Sequence, residues 1–147
     1  VIASTITIPV LGQPHLLEAA LKGLVENSYY RHRIVVITSE APPDEHHTGG
    51  ARDWATVEGM DGQPATCRRL YESVDDFRTQ RADWLAEHGI EFVDVTDQAR
   101  EMHARYRRGE VDRRTLVEGG TDVAFKNNLG LAMTDTEWTI PNWDCDF

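Results

Sequence analysis

Apolar residues along this chain change their spacing several times, and each change predicts an element boundary. Residues 6–10 (ITIPV) are dense in β-branched side chains and are stopped by Pro9 and Gly12, which predicts a short strand running into a loop. Helical spacing begins at Pro14: HLLEAALKGLVENS places Leu17, Ala20, Leu21, Leu24 and Val25 on one face, with the end near Asn27. The unbroken apolar centre of RIVVITSE, Ile34 to Ile37, then suits a strand covered on both faces. Strand, helix, strand forms a βαβ unit.

From residue 41 to 65 the pattern dissolves into Pro, Gly and charge (PPDEHHTGG, EGMDGQP), which predicts a long surface loop. Periodicity returns as a helix from Ser73 to His88, with Val74, Phe77, Trp84 and Leu85 inward and Gly89 just past its end. A third strand, IEFVDV, covers residues 90–95. Asp97 is expected to cap a helix reaching Arg108, with Ala99, Met102 and Tyr106 on its buried side. After Gly119, Gly120 and Thr121 a further helix is predicted, with Val123, Phe125, Leu129, Ala132 and Met133 as its inner face. WTIPNWDCDF closes the chain as a last strand, and Trp residues are assigned to packing.

Alternating strands and helices with buried strands predict an α/β fold, a mostly parallel sheet with helices on both faces. Such sheets bind ligands outside the carboxyl ends of their strands. Three segments should meet there: Leu11-Gly12-Gln13, Thr38-Ser39-Glu40, and the pair Asp144 and Asp146. Asp144 and Asp146 share one face if the strand continues through them, and two like charges so placed need a cation or water between them. Hard cations such as Mn²⁺ or Mg²⁺ choose carboxylate oxygens and the phosphates of a substrate, so the pair is a candidate metal site.

Composition narrows the function classes. A chain of 147 residues with 40% apolar content fits one domain, residues 1–147. Its 25 acidic and 15 basic side chains give a formal net charge of −10, which argues against nucleic acid as a partner. No apolar run is long enough for a membrane span and the first residues lack a signal-peptide pattern, so a cytoplasmic location is expected. Cys67 and Cys145 are read as reduced thiols, and the adjacent His46 and His47 as a solvated loop rather than a metal pair. RYRRG and DRR form a basic cluster with two readings, a helix end favourable to positive charge or a grip on an anionic acceptor. No GxGxxG or GxxxxGK[ST] occurs, against a dinucleotide dehydrogenase or a P-loop ATPase.

Two stretches resemble a known family. ITIPVLGQPHLLEAALKGLVENSYYRHRIVVITSE resembles the opening of a family 2 glycosyltransferase with the GT-A fold, and KNNLGLAMTDTEWTIPNWDCDF is similar to the helix and strand leading into that family's Asp-x-Asp motif. The resemblance implies a Rossmann-like nucleotide-diphospho-sugar transferase fold and transfer of a sugar from a nucleotide-diphospho-sugar donor to an acceptor hydroxyl on a glycan, lipid or small molecule. By this resemblance Pro9, Val10 and Leu11 contact the nucleoside. Thr38 and Ser39 stand where the family usually has an acid that holds the base, with Glu40 one step later. Lys126, Asp144 and Cys145 fall near the donor, and Asp144 and Asp146 on Mn²⁺ or Mg²⁺. The family's catalytic base lies beyond the Asp-x-Asp motif, so the chain is expected to be a donor-binding half, with the acceptor half absent. Two alternatives stay open: a sugar-nucleotide pyrophosphorylase-like nucleotidyltransferase, for which LGQPH lacks the Gly-rich basic loop, and a non-catalytic sugar-binding module of the same fold.

Overall fold

A computed structural model describes residues 2–11, 14–39, 56–58, 64–66, 71, 73–116 and 123–141. In chain order the elements are β1 (Thr5–Leu11), α1 (Pro14–Asn27), β2 (Arg33–Ser39), β3 (Thr56–Glu58), β4 (Pro64–Thr66), α2 (Val74–Gln80), α3 (Ala82–Glu87), β5 (Ile90–Asp94), α4 (Thr96–Arg107), α5 (Arg113–Leu116), α6 (Val123–Ala132) and β6 (Thr139–Ile140). Four of the strands form one sheet in the order β5-β2-β1-β6, all parallel. The architecture is therefore α/β with a parallel sheet, as the alternation of periods predicted.

Side-chain alternation decides what each face of the sheet meets. Ile6, Ile8 and Val10 of β1 and Ile34 and Val36 of β2 pack with Leu17, Ala20, Leu21 and Leu24 of α1 and with Val74, Phe77 and Leu85 of α2 and α3. Each fully buried Leu or Ile there stabilises the fold by roughly 1.5–3 kcal/mol. On the other face Val35 and Ile37 of β2 join Val95, with Phe125, Leu129 and Met133 from α6 and its end packed against them. β2 is buried from Ile34 to Ser39, which accounts for its uninterrupted apolar run.

On β1 the second face is polar, and this decides how α6 sits. Thr5 and Thr7 are both buried, and a Cβ built on Gly130 would fall 2.7 Å from Thr7 Cγ2 and 2.9 Å from its Cβ. Only a glycine lets the helix backbone come this close to the strand. Its close approach brings the last turn of α6 down onto β1 at Thr7.

Several sequence expectations are corrected. Two short antiparallel strands, β3 inside the span expected to be loop and β4 at its end and one residue past it, pair there, because the Thr-Val and Ala-Thr steps favour extended backbone. The helix expected from Ser73 to His88 is two helices broken at Arg81, whose guanidinium turns back to Tyr71 Oη at 2.8 Å and Glu18 Oε1 at 3.1 Å. Ser73 does cap α2, accepting the Asp76 N–H at 3.0 Å, and Gly89 has φ +61 just past α3. α4 begins one residue before the expected Asp97 cap; Asp94 Oδ1 accepts the Thr96 N–H at 2.9 Å, because β5 ends there and the chain turns at once. Ala99 is buried, whereas Tyr106 and Ala132, expected inside, are exposed, since their turns extend past the sheet. Trp138 was expected to pack and is 68% exposed, because β6 pairs with β1 only over Thr139 and Ile140. The side chain of Val123 lies outside those described.

Candidate functional site

The strand order locates a site before any side chain is considered. From β1 the chain moves through β2 to β5 on one side and returns to place β6 on the other side of β1. Connections thus leave in opposite directions at β1, so the carboxyl ends of β1 and β6 form a topological switch point, the place where such sheets bind ligands. Pro9, Val10 and Leu11 end β1 there, in register with Ile37, Thr38 and Ser39 of β2.

Lys126 reaches this edge from the far face. It is 2% exposed, and its Nζ donates to the Val10 carbonyl oxygen at 2.5 Å. It follows the apolar side of α6 because positions 126, 130 and 133 share a helical face. A buried ammonium costs several kcal/mol unless hydrogen-bonded or paired, so its placement against the carboxyl end of β1 is a specific one.

Towards the same end of the sheet are polar atoms of a different kind, with Thr38 on the α1 face of β2 and Ser39 on the α6 face. Thr38 Oγ1, Ser39 Oγ and Asn127 Oδ1 are buried and have no hydrogen-bond partner among the described residues. Thr38 is tied down only through its backbone, its carbonyl accepting the Val95 N–H at 2.8 Å. A buried, unanswered hydroxyl or amide costs about 1–3 kcal/mol. Thr7 Oγ1, midway along β1, and Glu18 Oε1, whose contacts are ion pairs, are likewise without a hydrogen-bond partner among the described residues, so unmet groups run from mid-sheet to this edge; those at the edge are ones that a polar ligand could complete. Asp94 borders the same edge from β5. Burial would raise its pKa, but hydrogen bonds from Thr96, with Arg78 and Arg100 nearby, outweigh that and hold it below the ordinary carboxylate range.

A second group of charges lies at the start of α1. Glu18 is 6% exposed, and its Oε1 lies 3.0 Å from Lys22 Nζ and 3.1 Å from Arg81 Nε. Desolvation pushes its pKa up, and Lys22, Tyr71 and Arg81 together pull it below its ordinary value. Sequence reasoning missed this cluster, although an acid set directly beside the apolar stripe of α1 was a signal for it. Asn127 lies in the stretch KNNLG that carries the resemblance, but nothing in the sequence singled it out from Asn128.

Of the residues singled out in the sequence, the structure brings together Pro9, Val10, Leu11, Thr38, Ser39 and Lys126. Glu40, Asp144, Cys145 and Asp146 lie outside the described residues, as do Gly12, Gln13, His46, His47, Cys67 and Trp143. In sequence, Asp144 and Asp146 follow β6, whose carboxyl end points to the same edge as that of β1. Among the described residues no group of three or more His, Cys, Asp or Glu side chains could hold a metal ion, and no helix is long and apolar enough to cross a membrane. The Arg-rich stretch is largely engaged internally: Arg105 and Arg108 pair with Glu110, and Arg108 also with Glu101. That favours the helix-end reading of the cluster over a grip on an anion.

Compared with protein-family models, with curated proteins and with solved structures, the chain matches none.

Proposed function

We propose that this chain binds the nucleotide-diphospho-sugar donor of a divalent-metal-dependent glycosyltransferase with a GT-A-like fold, which moves the sugar to an acceptor hydroxyl. The observation that carries the reading is the state of the carboxyl edge of the sheet on either side of β1. A buried Lys126 and the unanswered groups of Thr38, Ser39 and Asn127 border the ends of β1 and β2, and the strand beside β1 runs in sequence into Asp144-Cys145-Asp146.

Each residue has a part that its chemistry supports. The β1 end at Pro9, Val10 and Leu11 offers backbone to the nucleoside. The Thr38 and Ser39 hydroxyls both donate and accept, and Glu40 follows them, so base recognition here does not depend on a single acid. Lys126 supplies a point charge toward the diphosphate. Asp144 and Asp146 present hard oxygen donors, which suit Mn²⁺ or Mg²⁺, and Cys145 lies between them. Asp144 and Asp146 would hold such a cation, which would supply Lewis-acid stabilisation of the charge on the departing diphosphate.

The test is thermal unfolding with Mn²⁺ and each of UDP, GDP, CDP and dTDP. At least one pair should raise the melting temperature by several degrees, and Asp146→Ala should remove the metal-dependent part of the rise. If no nucleoside diphosphate stabilises the chain, or the rise is the same without Mn²⁺ and in the Asp146 variant, the reading fails.

A further inference from the structure

The opposite edge of the sheet carries a second candidate site, independent of the transferase reading. A cleft of ≈ 360 Å³ opens between the end of α1, the link into β2 and the end of α3. That volume is at the lower end for small-ligand sites, enough for a single ring. Leu24, Val25 and Ile34 give it an apolar floor continuous with the core.

Its rim has unusual exposure. Tyr29 and Tyr30 are 93% and 65% exposed, with ring centroids 5.1 Å apart in an edge-to-face arrangement. Arg31 beside them has no carboxylate partner among the described residues, in a chain with a formal net charge of −10. By contrast, Arg33, Arg78, Arg81 and Arg108 each lie within hydrogen-bond or ion-pair distance of an acid. An unpaired guanidinium next to a bare aromatic face is a place for a ring that carries a carboxylate.

The remaining lining narrows the ring's chemistry. His88 Nδ1 is 2.8 Å from the Trp84 carbonyl, which makes Nδ1 the donor and leaves Nε2 for another partner. Glu87 and Ser28 add a carboxylate and a hydroxyl to the wall. A purely aromatic acid would strip water from these groups without replacing its hydrogen bonds, which costs more than the apolar contact returns. A ligand charged on every side would be repelled by Glu87. We propose that this cleft binds an acidic sugar ring: a polyhydroxylated six-membered ring with one carboxylate, which pairs with Arg31 while an apolar ring face rests on Tyr30 and the hydroxyls meet Glu87, His88 and Ser28.

The experiment is a ¹H–¹⁵N NMR titration of the 147-residue chain with sodium glucuronate, glucose and sodium benzoate at matched ionic strength. Glucuronate should shift the amides of Tyr29, Tyr30, Arg31 and His88 with a Kd on the order of millimolar. Glucose should bind about tenfold more weakly, the factor expected for one exposed charge-assisted pair, and benzoate more weakly than glucuronate. Arg31→Gln should bring glucuronate down to the level of glucose, and Tyr30→Ala should weaken both; both residues are exposed, so the fold is retained. The proposal is overturned if glucuronate leaves these amides unmoved, if benzoate binds as tightly, or if the preference for glucuronate over glucose survives Arg31→Gln.

Discussion

The two edges of the same parallel sheet are finished in opposite ways. At the amino-terminal edge polar groups are answered: Ser4 Oγ meets His32 Nδ1 at 2.9 Å, Thr5 Oγ1 meets Thr136 Oγ1 at 2.8 Å, and the Thr139 hydroxyl donates to the Thr5 carbonyl at 3.2 Å. Arg33 joins three elements there, donating to both Glu91 carboxylate oxygens at 2.7 and 2.8 Å, to Asp135 Oδ1 at 3.0 Å and to the Met133 carbonyl at 2.8 Å. At the carboxyl-terminal edge Thr38 Oγ1, Ser39 Oγ and Asn127 Oδ1 are buried and have no hydrogen-bond partner among the described residues. The same strands run through both edges, and among the described residues the side chains that they carry there differ in how they are partnered. A closed polar edge holds strands in register, whereas an open one retains hydrogen-bonding capacity that a ligand can use.

Breaking the closed edge should have the largest effect. Arg33 is held charged by Glu91 first and Asp135 next, and its pKa is raised above the usual arginine value. Arg33→Ala removes a bidentate pair and a bond to the Met133 carbonyl, and should destabilise the fold by about 2–3 kcal/mol after allowance for solvent at the exposed Glu91. Urea unfolding measures it. A loss below about 0.5 kcal/mol would show that the amino-terminal edge is not held by this residue.

Between the edges, Gly130→Ala probes how close α6 must lie to β1. The added methyl would gain roughly 1 kcal/mol in helix propensity and meet Thr7 well inside contact distance, where overpacking costs about 1–3 kcal/mol. A net loss of about 1 kcal/mol is expected, partly restored when Thr7→Ala removes two of the three clashing atoms. If Gly130→Ala instead stabilises the chain, the close approach is not required, and the placement of Lys126 owes nothing to it.

These residues also show how much could be read in advance. The elements with strong periodicity, α1 and β2, were legible because burial on one stripe or on both faces leaves a repeat in the sequence. Parallel pairing followed from their alternation. The break at Arg81 was not legible: the contacts of its guanidinium, Tyr71 and Glu18, are distant partners that no local window contains. At the candidate site, the strand ends and Lys126 were visible through spacing and resemblance. That Thr38 and Ser39 are buried without partners was not, since a hydroxyl's environment depends on which neighbours the fold brings and leaves no pattern in sequence.

The open edge gives a prediction of the opposite sign. If the Thr38 hydroxyl is unanswered in the free protein, Thr38→Val keeps its shape and removes that cost, so stability without ligand should stay level or rise by up to about 1 kcal/mol. Stabilisation by a nucleoside diphosphate with Mn²⁺ should fall at the same time. Urea midpoints with and without the nucleotide separate the two effects. A Thr38→Val chain that is less stable alone yet binds undiminished would place Thr38 among the structural groups and erase the contrast between the edges.

The smallest effect tests the exception at the open side, the closed charge cluster of Glu18, Lys22, Tyr71 and Arg81. Glu18 titrates below its ordinary value of 4.5 in the folded chain. A carboxyl depressed in this way contributes stability that is fully present above its unfolded value and is lost as pH falls through the folded one. Wild type should therefore lose stability relative to Glu18→Gln on acidification from about pH 5 to pH 3, by about 1 kcal/mol or less. Comparing the two chains cancels the other carboxylates, which titrate in both. Glu91 is lowered chiefly by Arg33, against a smaller desolvation push upward, and should show the same sign at the amino-terminal edge. Parallel curves for wild type and Glu18→Gln across that window would mean that Glu18 is no more stabilised by its cations when folded than when unfolded. The ion pairs at the start of α1 would then contribute nothing to holding the break at Arg81 against the helix, and Tyr71 alone would have to position it.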